Sequence, residues 1–255
     1  MAKQKGPVTR PLDPTVLTEL GALKGAPPPS PDGFDPAGAW TAVYRIWTCY
    51  GHRDRSNHTM GALRVERRPD ADGHRLAVRQ VVHQSEGKRH WLEADVRCRT
   101  DALGTPHAWT LASRFDGDHV DGLPPVAFEA AGRLTGTAWE TASGGRTLRR
   151  TVPEPATADW CLFEAVQRLP LEPAEPLRFA VLEGLGVVKA DHRLAYDGLR
   201  EVTWGPGTVS LHRFVHHGRG VYPYEWWVDG SHRLVLVVTG PRTYIRDPKA
   251  EALLA

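Results

Sequence analysis

Hydrophobic and polar residues alternate along most of the chain beyond residue 39. In the first such segment, Ala42, Tyr44 and Ile46 fall on one face, while Val43 and Trp47 fall on the other. A period of two predicts β-strands, because successive strand side chains point to opposite faces. Both faces here are apolar, which is typical of a strand that is covered on both sides or faces a ligand cavity. Residues 90–99 instead alternate apolar with charged residues, which predicts a half-buried strand.

The last fifty residues contain three short apolar and aromatic runs, at 209–214, 222–228 and 233–238. Asp229-Gly230 separates two of these runs and predicts a hairpin with a type I′ turn. The fold class predicted from these patterns is mainly β. We expect one large curved antiparallel sheet, a half-barrel or open barrel of about 10–12 strands, packed on one short helix. Residues 39–255 are predicted to form a single domain.

The short helix is predicted at about residues 159–169. Thr157 or Asp159 can cap it, Trp160, Phe163 and Val166 follow helical spacing, and Pro170 stops it. A helix of about ten residues is marginal alone, so packing on the sheet must hold it.

The first 38 residues differ in composition from the rest of the chain. A helix is predicted from Asp13 to Leu20, with Pro14 at its first position and Gly21 at its end. Residues 25–38 are rich in Pro, Gly and Asp, which predicts an irregular linker. This segment is either a mobile tail or a helix that docks on the sheet.

The C-terminal half, from about Asp159 to Pro248, resembles uncharacterised bacterial β-rich families. The matching features are the helix ending in Leu-Pro at Pro170, a Gly-x-Gly from Gly218 before an aromatic strand, the run from Trp226 to Asp229, and a closing Tyr244. The resemblance implies an open, curved half-barrel around a helix, similar to bacterial lipoprotein-carrier folds that hold acyl chains. Those families usually carry an export signal, which we do not find here.

Charge and hydropathy narrow the classes of partner. The chain has 255 residues and a net charge of +2, with acidic and basic residues interleaved, so no nucleic-acid partner is expected. No apolar region follows the basic first ten residues, and no run approaches the roughly 20 residues that span a bilayer. A cytoplasmic protein is expected. The oligomeric state is left open.

Neither the cysteines nor the histidines predict a metal site. Cys49, Cys98 and Cys161 are widely spaced, which favours reduced thiols. His212 and His216 share a strand face while His217 points away, and no carboxylate lies between them. No metal and no cofactor are expected.

The nine tryptophans and an aromatic strip suggest where a ligand binds. Tyr222, Tyr224 and Trp226 are predicted to share one face, with Glu225 on the other. Tyr44, Trp47 and Trp91 are candidates for the opposite wall of a cavity. The alternative is that all these rings form the core. The candidate ligand-binding residues are Tyr44, Trp47, Trp91, His216, Tyr222, Tyr224, Glu225 and Trp226.

No catalytic motif is recognisable. Asp191-His192 and Asp118-His119 suggest dyads, but adjacent strand residues face opposite ways, so each histidine needs another partner in space. The leading hypothesis is therefore a protein that binds a hydrophobic or amphipathic, lipid-like molecule. A cofactor-independent cyclase or isomerase using the same cavity is the second hypothesis. A structural or partner-binding protein is the third.

Overall fold

The computed structural model describes residues 13–29, 33–48, 58–83, 88–116, 126–240 and 242–255. One sheet of 15 strands runs through these residues. The strands in chain order are β1 Trp40–Thr48, β2 His58–Asp70, β3 Gly73–His83, β4 Arg89–Cys98, β5 Pro106–Asp116, β6 Ala127–Thr135, β7 Ala138–Ser143, β8 Arg146–Thr151, β9 Ala156–Ala158, β10 Leu177–Glu183, β11 Val187–Trp204, β12 Gly207–His217, β13 Tyr224–Val228, β14 Leu234–Thr239 and β15 Arg242–Arg246.

The sheet is a meander in two halves. Strands β1 to β8 pair in sequence, β9 to β15 do the same, and β1 pairs with β15 to join the halves. Every pair is antiparallel except β9 with β10. The predicted fold class is confirmed, but there are 15 strands rather than 10–12. Strands such as β7, β8 and β9 have only three to six residues, too few alternations for a sequence pattern to separate them.

The two halves curl toward each other, and two threonines bridge the seam. Thr105 Oγ1 donates to the carbonyl of Ala156 at 2.7 Å, and Thr157 Oγ1 donates to the carbonyl of Leu103 at 2.7 Å. Side chains thus join β9 to the loop before β5. The strands β6, β7 and β8 extend beyond this seam, and β8 is exposed along its whole length.

The predicted internal helix is present and lies inside the curved sheet. Helix α2 spans Asp159–Ala165 and continues as a 3-10 helix, Val166–Arg168, which ends before Pro170. Six of the seven α2 residues are buried. Neither predicted cap is observed: the N-cap residue is Ala158, which has no side-chain cap, and the Thr157 hydroxyl is used at the seam. Asp159 instead accepts a hydrogen bond from the backbone N–H of Trp160 at 3.1 Å.

A buried ionic cluster holds α2 against the sheet. The Glu164 carboxylate accepts hydrogen bonds from Arg67 Nε at 2.9 Å and from Arg168 Nε at 2.5 Å. His74 Nε2 lies 3.4 Å from the same carboxylate, and Arg67 also donates to the carbonyl of Ala37. Burial lowers the pKa of His74 to about 4, although Glu164 partly opposes this shift.

The N-terminal helix α1, Pro14–Glu19, confirms the predicted helix and docks on the outer face of the sheet. Asp13 Oδ1 caps it by accepting from Val16 N at 2.8 Å, and Gly21 adopts φ +77°. Leu17 and neighbouring apolar residues cover outward-facing side chains of the sheet, including Trp47 and Trp227. Of the two alternatives, the docked helix is the one observed. The domain boundary at residue 38 stays a prediction.

A second outer cover comes from the C-terminal 3-10 helix, Pro248–Leu254. Ala250 and Leu254 pack on Val43 and Trp91 at the outer face of β1 to β4. Large rings therefore occupy both faces of the sheet. This explains why several strands read as apolar on both sides.

The Asp229-Gly230 hairpin is confirmed, but its turn type is not. Strand β13 ends at Val228 and β14 begins at Leu234, so the turn has five residues. The Asp229 carboxylate accepts from the backbone N–H groups of Ser231 and Arg233, and His232 rather than Gly230 adopts a positive φ, +67°. A side chain thus organises the turn in place of a type I′ backbone.

Cys98 and Cys161 are buried free thiols whose sulfur atoms lie 3.6 Å apart. The sequence spacing gave no sign of this contact, which joins β4 to α2. Cys49 lies outside the described residues, as do Tyr50 and the Asp118-His119 pair. Over the described ranges, every helix is too short or too polar to cross a bilayer.

Candidate functional site

An inner pocket of about 60 Å³ lies between α2 and the inner face of β10 to β15. Its walls are largely aromatic: Trp160 and Phe163 from α2 face Tyr224, Trp226 and Tyr244 from the strands. The Phe163 ring meets Trp226 and Tyr244 edge to face, each at a centroid distance of 5.3 Å. Such packing holds the rings in fixed positions, and these positions define the shape of the pocket.

Two histidines form the polar side of the inner pocket. His192 Nδ1 and His216 Nε2 lie 2.7 Å apart and share a hydrogen bond, and both side chains are buried. His216 is paired with Leu194 across β11 and β12, so His192 is its diagonal neighbour on the same face. Gly218 permits this arrangement, since a Cβ there would lie 2.2 Å from His192 Nδ1.

Three buried polar atoms at the inner pocket have no hydrogen-bond partner among the described residues. They are His192 Nε2, His216 Nδ1 and the indole Nε1 of Trp226. An unsatisfied buried polar group costs about 1–3 kcal/mol. Other buried polar atoms of the described residues also lack a partner, among them the indole Nε1 of Trp227, but these three belong to residues around one pocket, where a polar ligand would pair with them.

The imidazoles are held neutral. Burial, and secondarily the neighbouring His192 and His217, lower the pKa of His216 to about 3. Burial, followed by Lys189, also lowers the pKa of His192 below its ordinary value. At neutral pH the pair therefore presents uncharged rings to the pocket.

An acidic group, the carboxyl of Asp159, also lines the pocket. Asp159, at the start of α2, accepts from Gly184 N at 3.2 Å and Trp160 N at 3.1 Å. Burial raises its pKa to about 6, which those backbone bonds partly oppose. Burial also raises the pKa values of Tyr224 and Tyr244, and the charge of Asp159 contributes to both shifts. This carboxyl titrates near neutrality, as a general acid or base does.

The inner pocket continues into a surface basin of about 390 Å³, which we call the outer basin. The two share the side chains of Glu183, Lys189, Val221 and Tyr224. Lys189 Nζ donates to Glu183 at 2.8 Å, so an ion pair lies at the neck between them. A molecule entering from solvent therefore passes a charged rim before it reaches the aromatic walls.

Four of the candidate residues lie on the inner side of the sheet. His216, Tyr224 and Trp226 line the inner pocket. Tyr44 is fully buried beside it and contacts Phe163 edge to face at 5.3 Å. The predicted sharing of a face by Tyr224 and Trp226 is confirmed, and their rings stack at 5.9 Å.

The other four candidates lie elsewhere. Trp47 and Trp91 face outward under the terminal helices, so the prediction that they form a cavity wall is wrong. Each is directly adjacent in sequence to an inward-facing residue, Ile46 for Trp47 and Leu92 for Trp91, so its own side chain points outward. Glu225 also faces outward and contacts Arg213 at 3.5 Å. Tyr222 is 68% exposed because β13 begins only at Tyr224, and its ring borders the outer basin.

Sequence reasoning missed the most polar part of the site. His192 was a candidate only with an unknown partner, and that partner is His216. Asp159 was assigned only as a helix cap, and Tyr244 only as a matching position. The sequence does contain one signal for Asp159. The alternating pattern of the strands changes to helical spacing near this residue, which places its carboxyl where β9 meets α2.

The histidines do not assemble a metal site within the described part of the chain. His212 Nδ1 is bonded to the hydroxyl of Tyr196 at 2.9 Å, and His217 is exposed on the other face. No group of three or more His, Cys, Asp or Glu side chains is placed to share an ion in the described ranges.

A larger concavity lies away from this site. It is an open groove of about 790 Å³ across the outer face of β2 to β7, with a floor that includes Ala77 and Ala112. Its charged side chains include the ion pairs Arg79–Glu93 and Arg64–Glu66. The inner pocket is more enclosed than this groove and is walled by buried aromatic rings, so we place the candidate site there.

Comparison with known proteins supports the fold. No family profile matches the chain, and no curated protein matches it in sequence. A solved structure, described as a β-barrel-like protein of domain of unknown function DUF1849 from Brucella abortus, aligns with a TM-score of 0.55 at 9% identity. The alignment covers 83% of this chain and 95% of that chain. This agrees with the resemblance to uncharacterised β-rich families, while the link to lipoprotein carriers stays a prediction.

Proposed function

We propose that the protein binds a small amphipathic molecule, with its polar end in the inner pocket and its apolar part in the outer basin. The observation that carries this proposal is the set of three unpaired polar atoms, on His192, His216 and Trp226, around one aromatic pocket. A ligand that pairs with them removes the cost of burying them unpaired. The outer basin offers Val221 and the rings of Tyr222 and Tyr224 to the apolar part of the ligand.

The dimensions of the site set the size of the ligand. The inner pocket, at about 60 Å³, is several times the roughly 10–15 Å³ that one water needs and far smaller than a typical small-molecule site of about 300 Å³ or more. It therefore suits a head group of a few atoms. The outer basin, at about 390 Å³, is open to solvent, so it has room for an apolar part without enclosing it. We propose a compact amphiphile with a short apolar part, rather than a long acyl chain enclosed in the barrel.

Asp159 favours a second candidate function, a cofactor-independent isomerase or cyclase acting in the same pocket. Its carboxyl has a pKa raised to about 6 by burial, and it faces two tyrosines and a neutral histidine pair. Such a group exchanges a proton with a bound substrate at neutral pH. For this candidate, Asp159→Asn would abolish turnover and leave ligand affinity intact.

We also infer a cytoplasmic setting without a nucleic-acid partner. Support comes from the interleaved charges with a net of +2, and from the two neighbouring cysteines, which are free thiols. We also infer that residues 39–255 form a single domain.

Two adjacent tryptophans test the binding function directly. Trp226 lines the inner pocket, while Trp227 is buried on the opposite face of the same strand. Indole N–H signals of labelled protein would be followed during titration with hexanamide, 1-hexanol, methyl hexanoate and hexanoate, with Trp226→Phe assigning the signal. We expect at least one probe to shift the Trp226 signal saturably and leave Trp227 unchanged. If none of the four shifts Trp226 at millimolar concentration, every ring is core and the proposed function is wrong.

A further inference from the structure

The histidine pair at the inner pocket has one hydrogen-bond donor and one acceptor that no described residue pairs with. A neutral imidazole carries one N–H and one lone pair. If Nδ1 of His192 donates across the 2.7 Å bond, its Nε2 is left as an acceptor and Nδ1 of His216 carries the remaining proton. If the bond runs the other way, the two roles are exchanged. In either state, the two free nitrogens have opposite character.

The indole of Trp226 is the third unpaired polar group at the inner pocket. Its Nε1 is a donor only, so the inner pocket offers two donors and one acceptor in both tautomeric states of the pair. A ligand that only accepts hydrogen bonds, such as an ester, always leaves the imidazole acceptor unpaired. A ligand that also donates, such as a primary amide or an alcohol, can pair with it.

We propose that the inner pocket selects an uncharged head group that both donates and accepts hydrogen bonds, a primary amide or hydroxyl, over an ester or a carboxylate. This inference rests on the proposed function and names the chemical class of its ligand. The residues that decide between head groups are His192 and His216, with Trp226 as a further donor.

The charges around the inner pocket also disfavour a carboxylate. Its imidazoles are neutral, so they provide no cation. Lys189 is 2.8 Å from Glu183 and already paired at the neck. Asp159, with its pKa raised to about 6, adds a negative charge to the pocket lining at pH 8. An anionic head group would lose its hydration and gain no counter-charge.

The four probes share an unbranched six-carbon chain and differ in head group, so they compare these head groups directly. At pH 8, dissociation constants would be obtained from the Trp226 indole signal. We expect hexanamide and 1-hexanol to bind at least about tenfold more tightly than methyl hexanoate, because the ester leaves a buried acceptor unpaired. Hexanoate should show no saturable binding. Equal affinity for the amide and the ester, or tighter binding of hexanoate, would overturn the inference and leave the proposed function standing.

Matched variants link the selectivity to the pair. His216→Phe and, independently, His192→Phe should reduce the preference for hexanamide over methyl hexanoate to less than about threefold. His212→Phe is the control, since His212 lies on the same face of β12 but contacts Tyr196 and does not line the inner pocket. It should retain the preference. If both pocket variants keep the tenfold preference, the histidines do not select the head group.

Discussion

Gly218 lies directly against the imidazole of His192, so that a Cβ at this glycine would be 2.2 Å from Nδ1. The φ of Gly218 lies outside the left-handed region, so the constraint is this contact rather than backbone conformation. A side chain at residue 218 must therefore move the ring that bonds His216. The absence of a side chain at Gly218 therefore allows the hydrogen bond between His192 and His216 to form.

Gly218→Ala tests that contact. We expect the free energy of unfolding to fall by about 1–3 kcal/mol, as in other overpacked sites. Hexanamide affinity should fall with it. Gly230→Ala is the control, because a Cβ there meets no atom within 4 Å. Urea denaturation measures both variants, and an unchanged Gly218→Ala protein would mean that the contact relaxes without cost.

The stability of the protein should depend on pH through His216. Burial lowers its pKa to about 3, against 6.5 when exposed, so the unfolded chain takes up a proton that the folded chain refuses. Stability from this group is complete above pH 6.5 and is lost as pH falls, by at most about 1.4 kcal/mol per pH unit.

His216→Phe lacks that contribution. The unfolding free energy of the wild type minus that of this variant should therefore fall as pH falls from 6.5 to 5. The opposing titration of Asp159 occurs in both proteins and cancels in this difference. Urea denaturation at several pH values measures it. A difference that stays constant would show that folding does not shift the pKa of His216, and a difference that rises as pH falls would show that folding raises this pKa.

The Glu164 cluster should be a main support of helix α2. Glu164→Gln leaves the buried Arg67, whose side chain is 6% exposed, without its counter-charge. Breaking a buried ion pair in this way costs about 3–5 kcal/mol. Glu93→Gln, at the exposed pair with Arg79, should change stability little. Similar small effects for both would mean that the cluster contributes nothing net.

The docked helix α1 should stabilise the outer face of the sheet. Leu17 is fully buried, and Leu17→Ala should cost about 2–5 kcal/mol in thermal or urea unfolding. Leu199, 51% exposed, provides the control, and Leu199→Ala should have little effect. If Leu17→Ala is equally mild, the helix contributes little stability where it docks.

The alternation of residues predicted which side chains share a face, and the strip Tyr224 to Trp227 follows that rule. It could not predict which face is inside, because α1 and the C-terminal helix make the outer face equally apolar around Trp47 and Trp91.

The pairing of His192 with His216 depends on the register of β11 against β12. That register includes a shift between Tyr196 and Gly198. Such an irregularity comes from the three-dimensional curl of the sheet and leaves no periodic signal in the sequence. The contact between Cys98 and Cys161 likewise depends on how α2 packs against β4, and the spacing of these residues in the sequence does not predict it.

A crystal structure of the protein with bound hexanamide tests the central claim most directly. We predict that the amide lies in the inner pocket, within hydrogen-bond distance of Trp226 Nε1 and of at least one free nitrogen of His192 or His216, with its alkyl chain toward the outer basin. Hexanamide bound only in the outer groove of β2 to β7, with the inner pocket empty, would contradict the account.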